Sequence, residues 1–235
     1  YKDGVLRAER GTLLQPSGGQ ALPSSVRERV FHSFHIGPVQ EADFALRERG
    51  ENQRVIRLTP HELLTREEIL PWPGEGGTGC APGVDLERDV IKLAVLERHK
   101  GTGHTGLGFL SGYGLKRGAV ASSIAHDSHN LIVAGVNDRD MAAAANAVIR
   151  NQGGLAVAQG GRVLGELPLP VAGLMSEMEA GQTEEKLQAL KNLLSGMGVS
   201  SGVDPFMTLA FVSLPVIPAL RLNTYGLIDV ATQKV

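Results

Sequence analysis

The chain has 235 residues and a formal net charge of −2, with 42% apolar and only 4% aromatic residues. That length supports a real core in one large domain or a domain and a half, and the near-neutral charge excludes a general polyanion binder with a basic stripe, so no nucleic-acid partner is expected. Cys80 is the single cysteine, which excludes a disulfide framework and fits a reducing, cytoplasmic setting; no apolar run reaches membrane-spanning length and no signal-peptide apolar region opens the chain.

Tyr1-Lys2-Asp3-Gly4-Val5-Leu6 reads as a strand end, an Asp-Gly turn and a new strand. A hairpin at the first residue predicts a chain that begins mid-structure, as a piece of something longer. Residues 1 to about 60 alternate short strand-like pieces with loops, including a plain loop at residues 15–20 and a charged, solvent-facing stretch at 40–50. His32 and His35 offer two metal ligands with no third nearby, so a surface strand or loop is the better reading. Arg54-Val55-Ile56-Arg57-Leu58 alternates with period two and predicts a strand. The run from Pro71 to Gly83 is the strongest breaker in the chain. It divides a front β-rich segment, residues 1–70, from a C-terminal α+β part, residues 85–235, with residues 71–84 as the loop between.

Residues 89–99 favour a strand through their β-branched content, with a helix as the open alternative. Gly101-Thr102-Gly103-His104-Thr105-Gly106 matches G-x-G-x-x-G, but a dinucleotide fingerprint needs a helix after it. The next eight residues hold three further glycines, too many for a helix. A glycine-rich strand and turn is predicted instead.

The stretch Ser122-Ser123-Ile124-Ala125-His126-Asp127-Ser128-His129-Asn130 is the organising feature. It holds two imidazoles, a carboxylate, three hydroxyls and a carboxamide in nine positions, between two strand-like apolar runs. Polar groups at the mouth of a core need partners. A self-bonded turn is one explanation, since Asp127, Ser128 and Asn130 are ordinary turn formers. Two His around an Asp at a strand end favour a functional one: proton transfer, purine-like hydrogen bonding or metal ligation. Four of the seven histidines fall between His99 and His129. Adjacent His and Asp side chains on an extended strand point apart, so polar readout or proton shuttling is preferred over metal ligation, and no metal site is expected in this chain. His126, Asp127 and His129 are the candidate catalytic residues. Ser123, Ser128, Asn130 and His104 are the candidate substrate contacts.

After the knot, Asn137-Asp138 predicts an N-cap and residues 139–150 a helix with a small-residue face. Residues 155–158 and 162–167 read as a hairpin through Gln159-Gly160-Gly161. Thr183 is expected to cap an amphipathic helix with Leu187, Leu190, Leu194 and Met197 facing the core. The stretch after Asp204-Pro205 is too proline-broken for a central strand or long helix. Residues 220–222 and 226–230 predict a closing hairpin. The expected fold class is therefore α+β, a mixed sheet with a few packing helices.

Several long motifs carry a resemblance. Ser123-Ile124-Ala125-His126-Asp127-Ser128-His129-Asn130 with Asn137-Asp138, Glu97-Arg98-His99 with Gly106-Leu107-Gly108-Phe109, Leu167-Pro168-Leu169-Pro170 with Gly173-Leu174-Met175-Ser176, and Pro205-Phe206-Met207-Thr208-Leu209 with Leu214-Pro215-Val216-Ile217-Pro218 closely resemble the C-terminal region of the bacterial and archaeal adenine deaminases of the amidohydrolase superfamily. The resemblance runs from Tyr1 to about Val230. It implies hydrolysis of adenine to hypoxanthine and ammonia by a metal-activated water. It also implies a pair of manganese or iron ions held on an N-terminal (β/α) barrel, and a front segment that belongs to the amidohydrolase β-sandwich. This chain has no His-x-His and lacks the barrel's strand-helix repeats, so no TIM barrel is expected here. The implied partners are the N-terminal barrel, adenine and further copies in a homo-oligomer. On this reading the chain is inactive alone. The loop of His126 to Asn130 either closes the barrel's site or only locks the domain in place; the first is preferred.

Overall fold

The structure, a computed structural model, describes residues 1–14, 21–46 and 50–235. The predicted loop at 15–20 lies outside the described residues, as does part of the charged stretch at 40–50. In chain order the described elements are β1 (Ala8–Glu9), β2 (Thr12–Leu13), α1 (Ser24–Phe31), β3 (Asn52–Leu58), β4 (Thr65–Pro71), β5 (Val90–Leu96), β6 (Thr105–Ser111), β7 (Ala119–Ser122), β8 (Leu131–Gly135), α2 (Asp138–Arg150), β9 (Gly154–Gln159), β10 (Arg162–Pro168), α3 (Ala180–Gly196), α4 (Pro205–Val212), β11 (Leu220–Asn223) and β12 (Gly226–Asp229). The fold is α+β, and the described residues form no closed barrel.

Eight strands make one mixed sheet in the order β10-β9-β7-β8-β5-β6-β3-β4. Its one parallel seam joins β3 to β6, with Val55 opposite Phe109. Strands β3 and β4 precede the Gly/Pro-rich stretch yet belong to the same sheet as the strands after it. That stretch is packed down, not free: Ala81 donates its N–H to the Val136 carbonyl, and Trp72 meets the Phe109 ring edge-on at 5.8 Å.

The central strands are apolar on both sides because both faces are covered. β5, β8 and β7 are buried throughout. On one face α2 lays Met141, Ala144, Ala145 and Val148 against Ala119, Ala121, Ala156 and Ala158. Small residues on both partners let the helix approach closely, and each fully buried larger apolar side chain contributes about 1.5–3 kcal/mol. On the other face α3, α4 and the β11–β12 hairpin cover Leu93, Val95, Val120, Ile132 and Val157. Gly106 is required there: a β-carbon would overlap the carbonyl oxygen of Asn223, so the closing hairpin lies directly on β6. Lys92 is fully buried in β5 and bonds Asp138, in the first turn of α2, at 2.5 Å.

Local sequence explains most element ends. Asn137 caps α2 by accepting the Asp140 N–H at 2.8 Å. Asp204 caps α4, with Pro205 at its first position. Two expectations are corrected. The α3 helix starts at Ala180 with Glu179 as its cap residue, and the Thr183 hydroxyl instead donates back to the Glu179 carbonyl at 3.1 Å. The front segment holds a helix, α1, with no buried residue and therefore no apolar face to announce it.

Candidate functional site

Sheet register brings two histidine-bearing loops to one edge. Leu96, at the end of β5, lies opposite Leu131, where β8 begins, and opposite Thr105, where β6 begins. The loops 97–104 and 123–130 therefore leave the same end of the sheet side by side. His99 ties them together by donating Nε2–H to the Ser128 carbonyl at 2.7 Å.

Within the second loop the structure brings His126 and His129 together, with ring centroids 5.3 Å apart and nearly perpendicular. His129 has a left-handed backbone, φ +49°. Its N–H closes a tight turn onto the Ala125 carbonyl, and its Nδ1 accepts the Ala125 N–H at 3.3 Å. An Nδ1 that accepts leaves the proton of neutral His129 on Nε2. Helix α4 holds the other side: the Ala210 carbonyl accepts the His126 N–H at 2.8 Å, and the Phe211 ring lies 4.9 Å from the His126 ring. Asp127 and Ser128 are exposed, and the Asp127 carboxylate has no hydrogen bond or ion pair among the described residues.

Beneath the loop sits Arg98, 1% exposed. Its guanidinium donates to the carbonyls of His129 (2.5 Å), Ser33 (3.2 Å) and Ala172 (3.1 Å) and to the Ser33 hydroxyl, and it stacks 4.3 Å over the Phe34 ring. Burial lowers this group to about 10, opposed by the Glu97 carboxylate. Glu97 in turn cups the first loop, accepting from His99, Lys100 and Thr102. Burial acts to raise its carboxyl, but those bonds prevail and hold it below its usual value.

The remaining predicted residues are divided. Ser123 is fully buried, donating to Gly173 O (2.6 Å) and accepting from Gly154 N (2.8 Å). Asn130 is nearly buried, accepting from Arg98 N and donating to the Ser128 hydroxyl. His104 lies in the first loop with its ring 5.0 Å from Tyr225, apart from the His126–His129 pair. Sequence reasoning missed Arg98 and Phe211 as members of the site. The signal for Arg98 was its place two residues after the largely apolar strand β5, where a cation drawn into the core needs acceptors.

His129 is held below the ordinary imidazole value, first by burial, then by His126 and Arg98, with Asp127 opposing. The unfolded chain gains a proton at this residue near pH 6.5, whereas the folded chain does so only at lower pH. The stability His129 contributes is therefore present above about pH 6.5 and lost as pH falls toward the depressed folded value. An NMR titration of the His129 ring checks this; a midpoint at or above that of an unfolded peptide would contradict it.

A metal would need several convergent ligands. Among the described residues no group of three or more His, Cys, Asp or Glu side chains is arranged to hold one, so the residues present do not fit the ion pair the resemblance implies. No helix among the described residues is long and apolar enough to cross a membrane.

Residues 62–234 match the family described as the adenine deaminase C-terminal domain. The chain is 44% identical over 238 residues to adenine deaminase 2 of Carboxydothermus hydrogenoformans, covering all of this chain and 40% of that protein. It is 45% identical over 212 residues to an adenine deaminase of Nitratidesulfovibrio vulgaris strain DP4, covering 90% and 36%. It is 40% identical over 237 residues to an adenine deaminase of Petrotoga mobilis, covering 98% and 39%. The chain thus spans about two fifths of the length of the curated relatives it matches.

Proposed function

This chain belongs to the adenine deaminase C-terminal domain family, and on that premise we propose that it completes the active site of a metal-dependent adenine deaminase whose barrel lies outside residues 1–235. The observation that carries this reading is the His126–His129 pair. Two imidazoles stand at the open end of the sheet, fixed from below by Arg98 and from the side by α4. The reaction is adenine plus water to hypoxanthine plus ammonia. The divalent pair, manganese or iron, would be held on the barrel and would supply the activated water.

In this reading the chain's residues handle the purine edge and its protons. His129 presents Nε2–H to a ring acceptor, because its Nδ1 is already engaged. His126 shuttles a proton between the substrate and solvent. The Asp127 charge favours protonated His129, against burial, His126 and Arg98, which prevail. Ser128 and His104 offer polar contacts at the rim, while Ser123 and Asn130 serve as supports.

The C-terminal α+β part, residues 85–235, takes β3 and β4 of the front segment, 1–70, into its sheet across the loop 71–84. The start of that segment is assigned to the β-sandwich beside the barrel. Support comes from Tyr1, Val5, Leu13 and Leu14, which are all exposed, and from β1 and β2, which bury nothing. A cytoplasmic homo-oligomer is part of the same reading.

A second reading, a docking module without substrate contact, is favoured by one fact: Ser123 and Asn130 spend their hydrogen bonds inside the fold. Turnover measured on the barrel with and without this chain tests the proposal. Activity only when both are present supports it. Full activity of the barrel alone, or activity of this chain alone, would overturn it.

A further inference from the structure

Helix α4 has two working sides. One holds the His126 loop; the other walls a pocket of about 340 Å³, with Phe211 shared between them. Across that pocket from α4 lie the residues after β3, Thr59 to Leu63, and the β11 residue Arg221.

Arg221 is 1% exposed and forms no ion pair among the described residues. Its Nε donates to the Ile217 carbonyl at 2.7 Å, and its Nη2 to the carbonyls of Leu63 at 2.7 Å and Pro218 at 3.2 Å. Nη1 has no acceptor among the described residues and keeps a small accessible surface. Arg98 makes the contrast. It is equally buried, but every one of its guanidinium nitrogens has an oxygen partner. Burial lowers Arg221 to about 10, with no counter-charge opposing it. Taking a guanidinium out of water without an anion is costly, and carbonyl dipoles offset only part of that cost.

We propose that this pocket binds a small oxyanion, a phosphate or carboxylate group, anchored on Nη1 of Arg221. Planar guanidinium geometry suits such groups. Thr59, Thr208 and His61 line the same pocket and supply further donors. Two carboxylates also line it. Asp204 is engaged by Lys191 at 2.7 Å and by the α4 backbone, so it is not free to neutralise Arg221. Glu62 has no side-chain partner among the described residues and stands at the exposed mouth. Because Phe211 also touches the His126 ring, an occupied pocket reaches the candidate loop through one side chain.

The test is thermal unfolding with inorganic phosphate, and separately with acetate, at constant ionic strength against chloride, on this chain and on the full-length enzyme. A rise in Tm of about 3–5 °C is expected once phosphate or acetate exceeds its dissociation constant about tenfold, growing with the logarithm of concentration beyond that. Arg221→Lys removes the fork but also loosens the Leu63, Ile217 and Pro218 contacts. Thr208→Glu leaves those contacts intact and supplies a carboxylate from within, so it should abolish the rise. A Tm that responds to neither anion beyond the chloride control, or that rises equally in Thr208→Glu, would overturn the proposal.

Discussion

His126→Asn or Asp127→Asn in the full-length enzyme is expected to lower kcat about 10²–10⁴-fold, the usual range for a lost proton-transfer group. The stability of the folded chain should be nearly untouched. The loop is held by backbone: the His126 N–H bonds Ala210, and its carbonyl accepts from Ser213 at 3.2 Å. Neither the His126 nor the Asp127 side chain makes a hydrogen bond within the described residues, so Tm should move by no more than about 1–2 °C. Steady-state kinetics beside calorimetry separates the two readings of the loop. Near-normal kcat in a stable variant would leave only the docking role. A low kcat in a destabilised variant would point to damage instead of chemistry.

Arg98→Met is expected to have the largest effect on stability. It orphans the carbonyls of Ser33, His129 and Ala172 together. Each buried acceptor left without a donor costs about 1–3 kcal/mol, offset in part because a buried cation is also removed. A net loss of about 3 kcal/mol follows, lowering Tm by about 6–12 °C for a chain of this size. Arg98→Lys should recover part of it, since an ammonium reaches fewer of the three carbonyls. Faster hydrogen exchange at His129 and at His126 would show that the loosening reaches the loop. A Tm change under about 2 °C would mean that water replaces the guanidinium and that the residue is not the keystone of the loop.

Strands that obey a simple pattern were readable in the sequence. Arg54 to Leu58, Leu155 to Ala158, Leu220 to Leu222 and the capped helix after Asn137 announce themselves by alternation, turns and caps. The loop from Ser123 to Asn130 was found because polar groups interrupt two apolar runs. What escaped was long-range. Nothing local tells β3 to pair with β6 in parallel across fifty residues, so the Gly/Pro-rich stretch looked like a border while the sheet runs past it. Arg98 was quoted within a motif without a role, because its acceptors are backbone oxygens at residues 33, 129 and 172, and backbone acceptors leave no trace in side-chain identity. The start of α3 was misplaced because Glu179 caps it without a side-chain hydrogen bond, whereas Thr183 carries the residue type that usually does.

The strand order has a kinetic meaning. Read outward from the centre, the sheet is four hairpins laid edge to edge: β7 with β8, β5 with β6, β9 with β10 and β3 with β4. Each can close within its own short stretch, and only three seams, β7–β9, β5–β8 and β3–β6, join one hairpin to another. Closing local loops first lowers the entropy that the distant pairings must overcome. The residues from Ser123 to Asn130 are the tip of one of these hairpins. Substitutions at the tip should therefore alter how fast β7 meets β8, while substitutions along the β3–β6 seam should chiefly change how fast the finished sheet comes apart.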